Sequence, residues 1–313
     1  MSESLDLHVA SPDEIVAAHQ NVFDLWSKGR SMEKHVEFRL TSPSHSRATW
    51  IVGCVRQQVV TSLGCYPVLF KVDSETVRGS AIGSVYSSPE QRGKGYAAQL
   101  VDWADDYQRD CGTAISVLYS DIDPAYYGRR GYTICPSFEG WCDPQTVVPD
   151  DGDRPIELKE FDAGDSIEEM KLMYSEYHGR FSISVARDDA YWDSLLRRAP
   201  NDRYFWLQEP NGGRAGYARV QQQGSKCRIT DYALANHDDA LAVDFYTALL
   251  NACRTWDAKE LGGWLPDSKP VRQVFPLKKR ETEITMIKSL APKIALTDDL
   301  IASSARFCEI DHV

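Results

Sequence analysis

The sequence lacks a long apolar run, since no stretch approaches the roughly 20 consecutive apolar residues that a membrane-spanning helix needs. Its first residues have neither the basic nor the apolar region of a secretory signal, so we expect a cytoplasmic protein without a membrane partner. Positive charge is also in the minority: 35 Lys and Arg face 46 Asp and Glu, and the net charge is −11. Because that balance repels polyanions, nucleic acid is not an expected partner.

The cysteines and histidines show no pattern of a disulfide framework or a metal site. Among eight cysteines there is no C-x-x-C pair, and among seven histidines there is no H-x-x-x-H pair or cluster at zinc spacing. We therefore expect reduced thiols and no metal.

The length of 313 residues is about twice that of a usual domain, and 42% hydrophobic with 26% charged residues is typical of a folded globular protein. The segment 143–155 is rich in Pro and Asp, which is typical of a linker. We predict a boundary near Asp150, which divides the chain into domains of residues 1–150 and 151–313.

Local patterns predict alternating strands and helices. Ser11 and Glu14 form a capping box, and apolar residues follow at helical spacing as far as Trp26. Short apolar runs between residues 48 and 87 predict an antiparallel ribbon, and the run at 113–119 predicts a strand covered on both faces. Further helices are predicted over residues 96–110, 166–177, 188–198 and 239–256. Further strands are predicted at 204–208, 214–222, 226–234 and near 261–265, and the tail over residues 283–313 is expected to supply more.

The segment 85–100 carries a phosphate-binding pattern. A predicted strand runs into a polar turn, then Gly93 and Gly95, then a predicted helix, and such a turn presents free backbone N–H groups to an anion. A Walker P-loop is excluded, because Lys94 is followed by glycine and not by Ser or Thr. The dinucleotide fingerprint G-x-G-x-x-A is matched, but six residues separate Gly93 from the strand end, which disfavours that interpretation.

A third motif, R-x-x-G-x-A, is formed by Arg92, Gly95 and Ala97. It is followed, after the next predicted strand, by Tyr127 and by the pair Gly131-Tyr132, which resembles the ending Y-x-x-x-G-F. Over roughly residues 11–137 the chain therefore resembles the Gcn5-related N-acetyltransferase (GNAT) superfamily, in which this loop binds the pyrophosphate of acetyl-CoA.

The resemblance implies an α+β or α/β fold: an N-terminal GNAT domain with a mixed, mostly antiparallel sheet flanked by helices, and a second, smaller α+β domain. The second domain would be a degenerate GNAT-like copy that shapes the acceptor site. The cofactor-binding residues implied by the resemblance are Val85, Tyr86, Ser87, Gln91, Arg92, Gly93, Lys94, Gly95, Tyr96 and Ala97.

A closer likeness involves the segment Leu118–Ile122, LYSDI, which is similar to the two-domain fungal lysine N6-acetyltransferase family. The layout also resembles tandem GNAT proteins whose second copy no longer binds cofactor, and the segment before the predicted helix 239–256 has neither Arg-x-x-Gly nor a glycine pair. These likenesses imply a small-molecule amine as acceptor, with lysine as a candidate.

In the superfamily, a backbone N–H of the first central strand polarises the thioester where the two central strands separate, and a tyrosine protonates the leaving thiolate. The resemblance places these roles on Val85 to Ser87 and on Tyr127. The general base stays open among Asp121, Glu139, the Val313 carboxylate and water. Two other functions stay open as well: a silent acyl-CoA sensor, and a peptide or protein N-acetyltransferase.

Overall fold

The computed structural model describes residues 4–146 and 156–312. The helices are α1 (Pro12–Asn21), α2 (Phe23–Trp26), α3 (Met32–Thr41), α4 (Tyr96–Asp110), α5 (Ala125–Gly128), α6 (Ile167–His178), α7 (Asp189–Arg198), α8 (Asp239–Thr255), α9 (Lys269–Val274) and α10 (Asp298–Ser303). The strands are β1 (Asp6–Val9), β2 (Thr49–Val55), β3 (Gln58–Val72), β4 (Glu75–Ser87), β5 (Ile115–Ser120), β6 (Thr133–Ile134), β7 (Phe138–Cys142), β8 (Glu157–Phe161), β9 (Ile183–Ala186), β10 (Arg203–Gln208), β11 (Arg214–Gln223), β12 (Lys226–Leu234), β13 (Glu260–Trp264), β14 (Leu277–Lys279) and β15 (Ile284–Ser289).

The first sheet has the order β1-β2-β3-β4-β5-β15-β6, and β9 pairs with the far end of β3. The predicted antiparallel ribbon is confirmed as β2, β3 and β4. Strands β4 and β5 run parallel and are joined by α4, which is the crossover that a parallel pair requires. This mixed sheet confirms the predicted fold class.

Helix α4 covers the predicted range 96–110. It begins after Gly95, whose φ of 77° lies in the left-handed region, and its apolar face is fully buried through Leu100, Val101 and Ala104. Burial of that face against β2, β3 and β4 fixes the helix axis, so the start of α4 lies at the end of β4.

The second sheet has the order β14-β7-β13-β12-β11-β10-β8. Strands β10, β11 and β12 are antiparallel, and α8 then connects β12 to the parallel strand β13. The order repeats that of β3, β4, α4 and β5, as expected for a second GNAT-like copy. The turn between β10 and β11 is a tight hairpin, in which Glu209 N–H donates to the Gly213 carbonyl at 2.8 Å.

The two sheets exchange strands. Strand β7 comes from the first half of the chain but pairs with β13 and β14, whereas β9 and β15 come from the second half but join the first sheet. The predicted boundary at Asp150 lies outside the described residues, and the domain ranges stay a prediction. The sheets themselves do not divide the chain there, because each uses strands from both sides of that position.

Two expectations from the sequence differ from the structure. The tail over residues 283–313, predicted to supply further strands, supplies β15; the rest of its described part forms α10 and 3₁₀ turns at Ser304–Arg306 and Glu309–Asp311. The first helix ends at Asn21, and α2 and the unpredicted α3 follow it. Among the described residues, no helix is long and apolar enough to span a membrane.

Candidate active site

The central strands β4 and β5 separate towards their carboxyl ends. Their pairing ends at Ile82 and Leu118, whereas β4 continues to Ser87 and β5 to Ser120. Backbone groups beyond the last pair have no partner on the neighbouring strand, so the gap between the strands offers N–H and carbonyl groups to an extended ligand.

A bulge in β4 lies at the start of this gap. Ser62 pairs with Tyr86 and Gly64 with Gly83, so two residues of β4 oppose one residue of β3. Within the bulge Ser84 has a φ of 54°, a backbone conformation that costs about 1 kcal/mol for a non-glycine residue. Bulges break the ladder and redirect the strand, and this one precedes Val85 to Ser87, the segment expected to polarise a thioester.

The loop between β4 and α4 has the geometry of an anion cradle. Gly93 and Gly95 have φ values of 80° and 77°, and no atom lies within 4 Å of the position that a Cβ would take on either. No side chain caps the N-terminus of α4, so the N–H groups of its first turn and the positive end of the helix face open space. Arg92 supports the turn by donating from Nε to the Ser87 carbonyl at 3.3 Å.

The other predicted cofactor residues surround this cradle. Lys94 Nζ donates to Gln91 Oε1 at 2.6 Å on the exposed side of the loop. Tyr96 is buried in the first turn of α4 beneath the glycines. Lys94 and Gln91 are thus bonded to each other on the loop surface, while Tyr96 packs with Leu5, Val55 and Val60 and anchors the start of α4.

Tyr127 lies on α5 with 7% of its surface exposed. It packs in the apolar cluster that contains Ile82 and Leu118 and is contacted by Val85, so it lies beside the gap between β4 and β5. Burial, and then the neighbouring Tyr126, raises the pKa of Tyr127 to about 12. Because its pKa is this high, the hydroxyl keeps its proton at neutral pH. It forms no hydrogen bond with any described residue, so it is available to a ligand.

Tyr132 ends the motif and has a structural role. Its buried hydroxyl contacts Ser116 Oγ at 2.7 Å and donates to Asp105 Oδ1 at 2.8 Å, and Lys288 Nζ completes the group at 2.8 Å from Asp105 Oδ2. Burial raises the pKa of Asp105, which these three hydrogen-bond donors oppose. This network ties α4 to β5 and β15 and explains why tyrosine stands where the motif has phenylalanine.

A cavity of about 720 Å³ opens beside the bulge and lies between the two sheets. Its wall on the first sheet includes Gly83, Ser84 and Tyr119. Helix α3 contributes Phe38 and Arg39. The second half of the chain contributes Arg198, Asp202, Arg219, Gln221, Thr230, Glu283, Glu309, Ile310 and His312. The cavity therefore touches β4 at Ile82 to Ser84, where its pairing with β5 ends.

One side of the cavity is acidic. Asp121, after β5, accepts from the Glu283 N–H at 3.1 Å, and Glu309 is ion-paired with Arg228. Burial raises the pKa of Glu283, and the adjacent carboxylate of Glu309 raises it further. A cationic amine is attracted to this side of the cavity.

The candidate bases are in different places. Asp121 lines the cavity. Glu139 lies on β7 in the second sheet and is not part of the described lining of the cavity. Partial burial acts to raise its pKa, but hydrogen bonds from the Trp141 side-chain N–H and Lys278 outweigh that effect, so the pKa of Glu139 is lowered. Val313 lies outside the described residues. Two lining residues that the sequence did not suggest are His45 and His312, and burial lowers their pKa values to about 3 and about 4.

A separate group of possible metal ligands lies away from the cavity. His8, Glu14 and Cys54 bring their ligating atoms within 4.8 Å of one another. Glu14 already accepts from the Ser11 N–H at 2.8 Å as part of the capping box, and from His8 Nε2 at 2.9 Å. The capping role accounts for this arrangement.

The model of the acetyltransferase (GNAT) domain family matches residues 13–135. No curated protein sequence matches the chain. Among solved structures, a probable N-acyltransferase from Enterococcus faecalis has a TM-score of 0.73 at 15% identity, with 92% of this chain and 73% of that chain covered. Eis1 from Mycobacterium abscessus has a TM-score of 0.62 at 15% identity, with 92% and 74% covered.

A tandem GNAT protein from the clavulanic acid biosynthesis pathway matches over its full length, with 93% of this chain covered, a TM-score of 0.57 and 12% identity. Likeness at such identities establishes the fold, and the family model establishes the domain. The resemblance inferred from the R-x-x-G-x-A loop and the Tyr127 motif is confirmed: residues 13–135 form an acetyltransferase (GNAT) domain, and the fold of the whole chain is similar to that of tandem and other GNAT proteins.

Proposed function

We propose that this protein transfers an acetyl group from acetyl-CoA to a primary amine of a small molecule, with lysine as the candidate acceptor. The observation that carries the proposal is that three features follow one another along the chain at the end of β4: the partly acidic cavity at Ile82 to Ser84, the gap beside Val85 to Ser87, and the glycine loop that leads into α4. A cofactor lying along the gap would present its thioester to an amine in the cavity.

The cradle fits the pyrophosphate of the cofactor. Backbone N–H groups from Gly93 to Ala97 are the donors, and the glycines leave the space that a phosphate group requires. The cofactor supplies an activated acyl group as a thioester. The protein's part is to bind the anion at the cradle, extend the cofactor along Val85 to Ser87, and exclude water from the cavity.

The chemistry requires three proton movements. An alkyl ammonium group has a pKa near 10.4, so a base or water must take its first proton before nitrogen attacks the thioester carbonyl. A C–N bond then forms, the attacking nitrogen gives up a second proton to a base or water, the C–S bond breaks, and the thiolate gains a proton. Tyr127 is the proposed donor, because burial keeps its hydroxyl protonated beside the gap. Of the candidate bases named from the sequence, Asp121 is the one in the described lining of the cavity, and it is the proposed base, with or without an intervening water.

The second half of the chain is proposed to bind no cofactor. Helix α8 corresponds in the fold to α4, but Asp238 caps its N-terminus by accepting from Ala240 N–H at 2.9 Å, and Asp239 adds a second carboxylate to the first turn. These carboxylates take the place of an anion and repel phosphate. One acetyl-CoA per chain is therefore expected.

Calorimetric titration of acetyl-CoA into Gly95→Val tests the cradle. Valine there crowds the anion and disfavours the left-handed backbone, and we expect affinity to fall at least tenfold. Gly112→Val is the matched control, because Gly112 also has a positive φ of 82° and open surroundings but lies just after the C-terminal end of α4, far from the glycine loop in sequence. Equal affinity losses in both variants, or a wild-type stoichiometry of two, would contradict the assignment.

A thiol-release screen with acetyl-CoA over amino acids, polyamines, aminoglycosides and peptides tests the acceptor. We expect amine-dependent release with a small amine, and lysine among the best acceptors. Acetyl-CoA binding without turnover of any amine would identify a sensor, and turnover confined to peptides would identify a peptide N-acetyltransferase.

A further inference from the structure

Arg39 is a buried cation in the wall of the acceptor cavity. It lies in the last turn of α3, and 8% of its surface is exposed. Its guanidinium donates from Nη2 to Ser84 Oγ at 3.1 Å, which places it beside the bulge of β4. The rings of Trp26 and Trp50 lie 5.2 Å and 6.0 Å from its Cζ atom.

Within residues 4–146 and 156–312, no carboxylate lies within ion-pair distance of Arg39, and its buried Nε has no hydrogen-bond partner. A buried guanidinium stays charged, and leaving it unpaired is costly. Two other buried arginines have carboxylate partners: Arg187 contacts two carboxylates, and Arg219 contacts Asp202 at 2.8 Å. The buried Arg280 has no ion pair with a described carboxylate either, but it is not part of the described lining of this cavity, and it donates to Thr285 Oγ1 at 2.8 Å and lies 3.6 Å from the ring of Trp264. Arg198 lines the same cavity, but its guanidinium donates to the carbonyls of Ile310 and His312.

The surroundings of Arg39 add no negative charge. Arg30 lies on the same side of the cavity, over the ring of Phe38 at 4.1 Å. The histidines nearest to Arg39 are His19, His35 and His45, and burial lowers the pKa of each, so they are neutral near pH 7. This side of the cavity is therefore positive, and a ligand's anionic group would supply the missing counter-ion.

The acidic side lies further along the sheet. Ser84 belongs to β4, whereas Asp121 follows β5 and Glu283 precedes β15. Since β4 and β15 are two strands apart, their separation is roughly 10 Å. The cavity is thus positive at β4 and negative at β5 and β15, which complements a molecule with a carboxylate at one end and an ammonium group at the other.

We propose that Arg39 binds a carboxylate of the acceptor, so that the enzyme selects amines that also carry a carboxylate over amines that do not. The inference rests on the proposed function of the cavity as the acceptor site. In this role Arg39 is a specificity-determining residue: it holds the acceptor by its anionic end while the amine remains on the side of Asp121.

The test compares lysine with lysinamide, which has the same length and the same side-chain amine but a neutral carboxamide. Charge-assisted hydrogen bonds to a buried guanidinium give roughly ten- to hundredfold discrimination. We expect wild-type kcat/KM to favour lysine by that factor, mainly through KM. Arg39→Met is expected to remove the preference by raising KM for lysine and leaving lysinamide unchanged, and Arg39→Lys is expected to keep part of it.

A structural role for Arg39 predicts a different result, since a distorted cavity would lower kcat/KM for both acceptors equally. That outcome would overturn the inference, as would equal use of lysine and lysinamide by the wild type or a preference for polyamines over every amino acid. Thermal unfolding of each variant shows whether the comparison is made on folded protein, and Arg39→Lys serves if Arg39→Met does not fold.

Calorimetric binding separates failure of this inference from failure of the proposed function. If no amine is acetylated, lysine is titrated into wild type and Arg39→Met in the presence of coenzyme A. Binding of lysine but not lysinamide, lost in Arg39→Met, would support the carboxylate site and reject the transferase function. Absence of lysine binding would overturn the site as well.

Discussion

Replacing Arg187 is expected to destabilise the whole protein, because this residue joins three parts of the fold. It follows β9 and donates to both carboxylate oxygens of Asp231 on β12, at 2.8 and 2.9 Å. It also donates to both oxygens of Asp311 in the C-terminal turn, at 3.1 and 2.9 Å. The three side chains are 0%, 2% and 1% exposed, and the guanidinium stacks 3.8 Å from the ring of Tyr174.

The magnitude follows from what each substitution leaves behind. Arg187→Met leaves two carboxylates buried without a cation, for which a loss of about 3–5 kcal/mol in the free energy of unfolding is typical. Asp311→Asn leaves a neutral Arg187–Asp231 pair of the same shape. Since burial raises the pKa of Asp311 despite its contact with Arg187, its charge is the less favourable of the two, and Asp311→Asn should cost far less.

Urea unfolding followed by tryptophan fluorescence measures both variants against the wild type. The triple variant Arg187→Met, Asp231→Asn, Asp311→Asn removes all three charges, and we expect it to recover part of the loss, because no charge then remains buried. The reasoning is refuted if Arg187→Met unfolds at the wild-type urea concentration, or if Asp311→Asn is the more damaging single change.

Two further predictions concern the active site and the response to pH. Tyr127→Phe should lower kcat by roughly 10²-fold with little change in cofactor affinity, whereas Tyr126→Phe should lower kcat only slightly. If chemistry limits the rate and both variants lose only a few-fold in kcat, water and not Tyr127 protonates the thiolate. Burial lowers the pKa of His45 to about 3 and the pKa values of His178 and His312 to about 4, whereas a histidine in the unfolded chain has a pKa near 6.5. Between the folded and the unfolded pKa values, the unfolded state therefore binds more protons than the folded state. Their contribution to stability is complete above pH 6.5 and decreases as the pH falls towards 4; a melting temperature that does not decrease between pH 7.5 and 5.5 would contradict it.

The first half of the sequence predicted much of its own structure because its signals are local. Helix α4 has the predicted bounds, since Gly95 sets its start and the spacing of Leu100, Val101 and Ala104 defines its buried face. The R-x-x-G-x-A motif predicted the open glycine turn before α4 for the same reason, because its glycines and the start of the helix lie within six residues of one another. Short-range patterns of this kind can be recognised in the sequence without knowledge of the tertiary contacts.

The cavity proposed to hold the acceptor was not predictable in this way, because its walls come from distant parts of the chain. Strand β15 pairs with β5 across more than 160 residues, and it brings Glu283 beside Asp121. Helix α3 has no strong apolar periodicity, so neither the helix nor Arg39 was identified from the sequence. The C-terminal turn has a short apolar pattern resembling a strand, but the ion pair of Asp311 with Arg187 determines its actual path.

Helices α4 and α8 have equivalent positions in the two sheets, but their N-terminal ends differ. Each helix connects two parallel strands of its sheet, but Gly95 leaves the first helix end open to an anion, whereas Asp238 closes the second with its own carboxylate. The parallel strands of the second sheet also separate, since the pairing of β12 with β13 ends at Arg228 and Gly262 while β12 continues to Leu234. The difference between the two copies therefore lies in the helix end and not in the strands. Residues of β11 and β12 line the cavity that also contacts β4 of the first sheet, and the exchange of β7, β9 and β15 links the two sheets that form its walls.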